Sequence, residues 1–158
     1  MSQESAAARA RAGANASRDP LRTAAAVVGA VFLVVGVLGF IPGITTSYSD
    51  LSFAGHNSAA KLLGIFQVSV LHNVVHLLFG LAGLALSRHR DTARTYLVGG
   101  GAVYLVLWLY GLVVGPQSSA NFVPVNTADD WLHFLLGLGM IGVGVALSRR
   151  PAGAVTTR

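Results

Sequence analysis

Four stretches of 18 to 21 residues contain no Asp, Glu, Lys or Arg: Thr23–Ile41, Val70–Ser87, Thr95–Gly115 and Trp131–Ser148. At 1.5 Å per residue each helix would reach about 27–32 Å, enough for the roughly 30 Å hydrocarbon core of a bilayer. Together they take up about half of the 158 residues. Charged residues make up 11% of the chain, against about 25% in a typical soluble domain. This excludes an ordinary soluble globule and a disordered chain. The expected fold class is all-α: an integral membrane four-helix bundle with helices over about 23–41, 70–87, 95–115 and 131–148.

The net charge of +5 does not point to nucleic acid, because its distribution follows the spans. Arg9, Arg11, Arg18 and Arg22 precede the first span, and Arg88, Arg90 and Arg94 lie between the second and third. Arg149, Arg150 and Arg158 follow the fourth. Ten of the eleven basic residues therefore fall on one side, and only Lys61 falls on the other. The positive-inside rule then places both termini in the cytoplasm of a cell in whose plasma membrane the chain sits. Residues 1–21 are expected as a disordered cytoplasmic tail, 22–150 as the transmembrane domain and 151–158 as a second cytoplasmic tail. Residues 1–20 are too polar for the core of a signal peptide, so the first span is expected to be retained. Of the outer loops, Pro42–Ser69 is long. Its second half, SAAKLLGIFQVS, is apolar enough for a short interfacial helix.

The chain also resembles itself. Gly29–Val34 (GAVFLV) returns as Gly101–Val106 (GAVYLV) at an offset of 72. The segment Phe66–Ala82 overlies Val123–Gly139 at an offset of 57, matching His76 to His133, Gly80 to Gly137, Asn73 to Asp130 and Ser69 to Asn126. Polar matches at equal depth are harder to obtain by chance than apolar ones. The expectation is two tandem parallel two-helix repeats, related by a pseudo-two-fold axis along the membrane normal.

The segment LLGIFQVSVLHNVVHLLFGLAGLALS, followed by VPVNTADDWLHFLLGLGMIGVG, resembles the bacterial membrane family known as domain of unknown function 4383. The resemblance covers roughly Arg22–Arg150. It implies a small four-helix protein with a Val-Asn-x-x-His-Asn-x-x-His element before the second helix. A Pro-x-Asn-x-x-Asp-Asn-x-x-His element precedes the fourth. Ser69 and Asp130 stand where those elements usually carry Asn. The family name implies fold and location, and no activity.

Ionisable residues inside a membrane are the first place to look for function. His72 and His76 are four apart and share a helix face, as do Asp129 and His133. Read as structure, Ser69, Asn73, His76, Asn126, Asp130 and His133 form a polar cluster that caps helices and ties the outer loops to the bundle. Read as metal ligands, His72, His76, His133, Asp129 and Asp130 suit zinc, copper or non-haem iron. Read as haem ligands, His76 and His133 face one another across two helices. Gly80 and Gly137, one turn below the matched histidines, are expected to face neighbouring helices. Cysteine is absent, which excludes disulfides and thiolate chemistry. The run Gly99-Gly100-Gly101 lacks the Lys of a phosphate loop, and no catalytic residues are assigned. The expected function is a non-catalytic multi-pass membrane protein, structural or an accessory subunit, without a cofactor. Its partners are the lipid bilayer and either another membrane protein or a second copy. A haem- or divalent-metal-binding redox protein and a small oligomeric transporter are the alternatives.

Overall fold

The computed structural model describes residues 19–149. The expectations for residues 1–18 and 151–158 lie outside them. Four α-helices make up most of the described chain: α1 (Pro20–Leu38), α2 (Val70–Leu86), α3 (Arg90–Val113) and α4 (Thr127–Ser148). Three of them, α1, α3 and α4, are long and apolar enough to cross a membrane. The fourth, α2, is an apolar helix of 17 residues, about 26 Å long.

Three helices begin earlier than their uncharged stretches, because polar residues start them. Asp19 caps α1, accepting a hydrogen bond from the Leu21 N–H at 3.0 Å, and Pro20 at the first position has its φ preset for a helix. The helix therefore starts at Pro20, within the segment 1–21 expected as a tail. α3 starts at Arg90, five residues before Thr95, since Asp91 suits the positive end of the helix and Thr92 bonds back to the Leu86 and His89 carbonyls. α4 starts at Thr127 behind an Asn126 cap.

The helices pack as two antiparallel hairpins, α1 with α2 and α3 with α4. Glycine allows the close approach. A Cβ placed on Gly80 would lie 2.7 Å from the backbone of Gly29 and Leu33, and one on Gly101 would lie 2.7 Å from the Gly137 carbonyl. The same contacts recur within each hairpin: Gly29 on Gly80 and Gly101 on Gly137, Leu33 on Gly80 and Leu105 on Gly137. Where the hairpins meet, Phe32 and Tyr104 stack with centroids 5.3 Å apart, within a core that includes Leu21, Ala25, Leu97 and Met140. Branched apolar residues such as Val27, Val31, Val34, Leu78, Val106 and Leu135 point outward. Small and aromatic residues inside with aliphatic ones outside is the arrangement a lipid-embedded bundle needs, because packing rather than water exclusion joins its helices.

At one end of the bundle, the terminal end, α1 begins, α4 finishes and a three-residue turn joins α2 to α3. Arg90 fastens this end: it donates to the Asp19 carboxylate at 2.7 Å and to the Leu147 carbonyl at 2.7 Å. Arg22 donates to the Ser87 carbonyl. Burial works to raise the Asp19 carboxyl, but Arg90 and the Leu21 N–H outweigh it and hold it below its ordinary value.

The opposite, loop end carries the two long connections. The first folds into a small antiparallel sheet, β1 (Thr45–Thr46), β2 (Lys61–Leu62) and β3 (Phe66–Gln67), with Thr45 opposite Leu62 and Lys61 opposite Gln67. The expected interfacial helix in SAAKLLGIFQVS is therefore a β-hairpin. Leu63 and Gly64 adopt left-handed φ values of 54° and 73°, which a right-handed helix cannot contain, and the Ile65 N–H closes the turn on Leu62. Ala60, Leu62 and Val68 bury themselves against Val35 and Leu38 of α1, so the hairpin is packed onto the bundle.

Candidate functional site

A band of buried polar groups lies where the loop-end connections meet the helices. Its construction starts with the free N–H groups that every helix start leaves. At α2, the Val70 and Leu71 N–H groups bond to the Ser52 and Phe53 carbonyls, and the His72 N–H to Ser69 Oγ at 3.1 Å. At α4, Asn126 Oδ1 accepts from the Ala128 and Asp129 N–H groups, and Asp129 Oδ2 accepts from the Asn126 N–H at 2.9 Å. This is a capping box with Asp in the third position.

Asp129 does more than close its own cap. The same Oδ2 accepts from the Gln67 N–H of β3 at 3.0 Å, while Asn126 Nδ2 donates to the Ile65 carbonyl at 2.8 Å. The Gly55 N–H adds a bond to the Phe122 carbonyl at 2.7 Å. These three bonds tie the first connection to the second. Of the polar cluster expected to tie the loops, Asn126 makes one of these bonds. His76 Nδ1 bonds to the His72 carbonyl of its own helix at 3.0 Å, and His133 Nδ1 has no partner among the described residues.

The histidines instead enter the bundle core. His72 stacks on His76 with centroids 4.4 Å apart, and His76 touches Phe32. Phe32 stacks on Tyr104, which meets His133 edge-on at 5.3 Å. A continuous file of rings thus joins the histidines of α2 to that of α4. His72 and His133 are 8% and 3% exposed, and each keeps an unpartnered Nδ1. Among the described residues, no group of three or more His, Asp or Glu side chains is placed to hold a metal ion. Phe32 and Tyr104 fill the path between His76 and His133, where a haem bridging the two would have to lie.

Asn73 and Asp130 occupy matching places. Asn73 packs on Gly39, the residue that follows α1, and Asp130 on Gly111 of α3, closely enough that neither glycine has room for a Cβ. Asn73 Nδ2 and Asp130 Oδ1 are buried without partners among the described residues. Gly80 and Gly137 face neighbouring helices, against Gly29 and Gly101.

Several residues that organise this end were not singled out from the sequence. Asn121 is fully buried and bonds to the Pro116 carbonyl and to both backbone groups of Val125. Ser58 donates to the Val68 carbonyl at 2.6 Å, Thr45 to the Leu38 carbonyl and Gln67 Nε2 to the Ser58 carbonyl. Gln67, a lone amide in an apolar run, was the one with a readable signal.

No curated protein and no solved structure matches the chain. One family does, over residues 22–146, which take in α2, α3, both connections between hairpin partners and all but two residues each of α1 and α4. The chain belongs to that family, described as domain of unknown function (DUF4383).

Proposed function

We propose that the chain is a non-catalytic structural protein of the plasma membrane, crossing it four times with both termini in the cytoplasm, and working as an accessory to another membrane protein or to a second copy. The observation that carries this reading is the use made of Asp129. It is 2% exposed, and its Oδ2 accepts two backbone N–H groups from two different connections. The buried carboxylate with the most chemical promise is thus occupied in holding a loop in place.

The outward surface supports the accessory role. A Cβ at Gly99, Gly139 or Gly142 would meet nothing within 4 Å. Glycine inside a helix costs about 0.5–1 kcal/mol relative to Ala, and close packing within this chain does not offset that at these three positions. A helix from another chain could use the space, as small residues allow in membranes. A tandem duplication fits the paired contacts: Gly29 on Gly80 with Gly101 on Gly137, and Gly39 on Asn73 with Gly111 on Asp130. These pairs follow the sequence offsets of 72 and 57.

The test is metal analysis and a visible spectrum on gently solubilised full-length protein, with His76→Asn compared with His76→Leu, and the same pair at His133. Neither metal nor haem absorption should be stoichiometric, and His76→Asn should melt closer to wild type than His76→Leu, since only Asn keeps a donor near the His72 carbonyl. Equal, severe loss in all four, with release of a bound metal or chromophore, would overturn the reading. Reporter fusions at the turn Ser87–His89 should report the cytoplasmic side, and fusions near His56 and Ser119 the opposite side.

A further inference from the structure

At the terminal end, a cavity of about 350 Å³ is lined by Leu21, Arg90, Asp91, Arg94, Ser148 and Arg149. That is room for roughly ten water volumes at ~30 Å³ each. Three helices meet there: the first turn of α1, the start of α3 and the end of α4. Arg90 forms a fixed wall, bonded to Asp19 and to the Leu147 carbonyl. Arg94 and Arg149 are exposed, and neither has a hydrogen bond or ion pair with a described residue. Among the lining side chains, Arg90, Arg94 and Arg149 outnumber Asp91, which makes the cavity positive and suits it to an anion.

The position of the cavity selects the source of that anion. It is built from the starts of α1 and α3 and the end of α4, three helices long and apolar enough to cross a membrane, so the cavity lies at the level where bilayer headgroups meet the helix ends. A free anion gains little from two exposed, hydrated guanidiniums. A lipid is held at that level by its own acyl chains. Guanidinium forks match phosphate oxygens in pairs, and basic clefts between membrane helices suit such headgroups.

We propose that this cavity binds the headgroup of an anionic phospholipid, with Arg94 and Arg149 donating to its non-bridging phosphate oxygens. Arg90 and Ser148 shape the cavity from the sides.

The experiment uses full-length protein in a neutral detergent, where binding is read whatever the orientation in the cell. Phosphatidylglycerol, phosphatidylcholine or inorganic phosphate is titrated, with melting temperature and native mass spectrometry as readouts. Wild type should be stabilised by phosphatidylglycerol and not by phosphatidylcholine or phosphate. The double variant Arg94→Gln/Arg149→Gln should bind phosphatidylglycerol about tenfold or more weakly, at about one kcal/mol for each surface arginine. Arg88→Gln, an exposed change outside the cavity, should bind as wild type does. The proposal is overturned if both lipids stabilise equally, if phosphate alone reproduces the effect, or if Arg88→Gln costs as much as the double variant.

Discussion

A close helix approach in the first hairpin sets up a comparison between two Gly→Ala changes. At Gly80, a new Cβ would lie 2.7 Å from the Gly29 oxygen and from the Leu33 backbone nitrogen. Ordinary contact begins at 3.4 Å, so α1 and α2 must part by about 0.7 Å along a face where both sides are backbone and cannot rotate away. Overpacking of this kind costs about 1–3 kcal/mol, and rigid neighbours push it toward the upper end. Alanine returns about 0.5–1 kcal/mol through helix propensity, leaving a net loss of about 1–2 kcal/mol. At Gly99 the new Cβ meets nothing within 4 Å, so only the gain applies. The two variants should differ by roughly 1.5–3 kcal/mol, or about 3–12 °C in melting temperature at 2–4 °C per kcal/mol. Gly137→Ala should fall between them, because its nearest neighbour is the flexible Leu105 side chain, with the Gly101 oxygen at 3.0 Å. Thermal unfolding of the three variants in one detergent gives the ranking. If Gly80→Ala and Gly99→Ala melt together, Gly80 does not lie against α1 and the hairpin packing is wrong.

Asp129→Ala should destabilise the protein by about 2–4 kcal/mol, since it strands the Gln67 and Asn126 N–H groups; Asp129→Asn, which keeps an acceptor, should cost less, and protease access to the 55–67 segment in detergent will report the loosened loop. Asp19 lies below its ordinary value, so its contribution is complete above the unfolded carboxylate value of about 3.9 and fades as pH falls through the lower folded value. Melting temperature against pH should therefore drop in acid for wild type, and Asp19→Asn should flatten that drop while losing about 1 kcal/mol of capping at neutral pH. Gly111→Ala should be poorly tolerated, because Asp130 fills the space its Cβ needs; a melting temperature at or above wild type would show that Asp130 is free to move aside.

The helices were legible because the missing charges of four long stretches admit few alternatives. Their starting points were less so. Asp19-Pro20 and Asn126-Thr127 are capping signals, yet each lies outside the uncharged run that defined the span. The close pairs Gly29 with Gly80 and Gly101 with Gly137 were within reach of the internal comparison, which aligned these glycines before any packing was known. The hairpin over residues 58–69 was not readable from composition. Its apolar content suits a helix on a membrane as well as a strand, and the deciding event is a left-handed Leu63, a conformation no sequence rule assigns to leucine. The histidines lie near the loop end, while the bonds to the loops fall to Asp129 and Asn126. Depth in a helix says which loop a side chain can reach, and not that a neighbouring carboxylate has already taken the loop.

The bond from Gln67 to Asp129 joins residues 62 apart, and this has a consequence for biogenesis. Chains are made from the N-terminus at about 5–20 residues per second, so α1 and α2 can pair in the membrane several seconds before α4 is synthesised. Until then the β-hairpin lacks its acceptor at Gln67, and the Ile65 carbonyl lacks the Asn126 amide. The first half of the chain is a pre-assembled hairpin with an unfastened lid, and arrival of the last helix closes it. A nascent chain stalled before Thr127 should therefore pass its helices into the membrane yet stay open to protease near Gln67, whereas one released after Ser148 should be protected there.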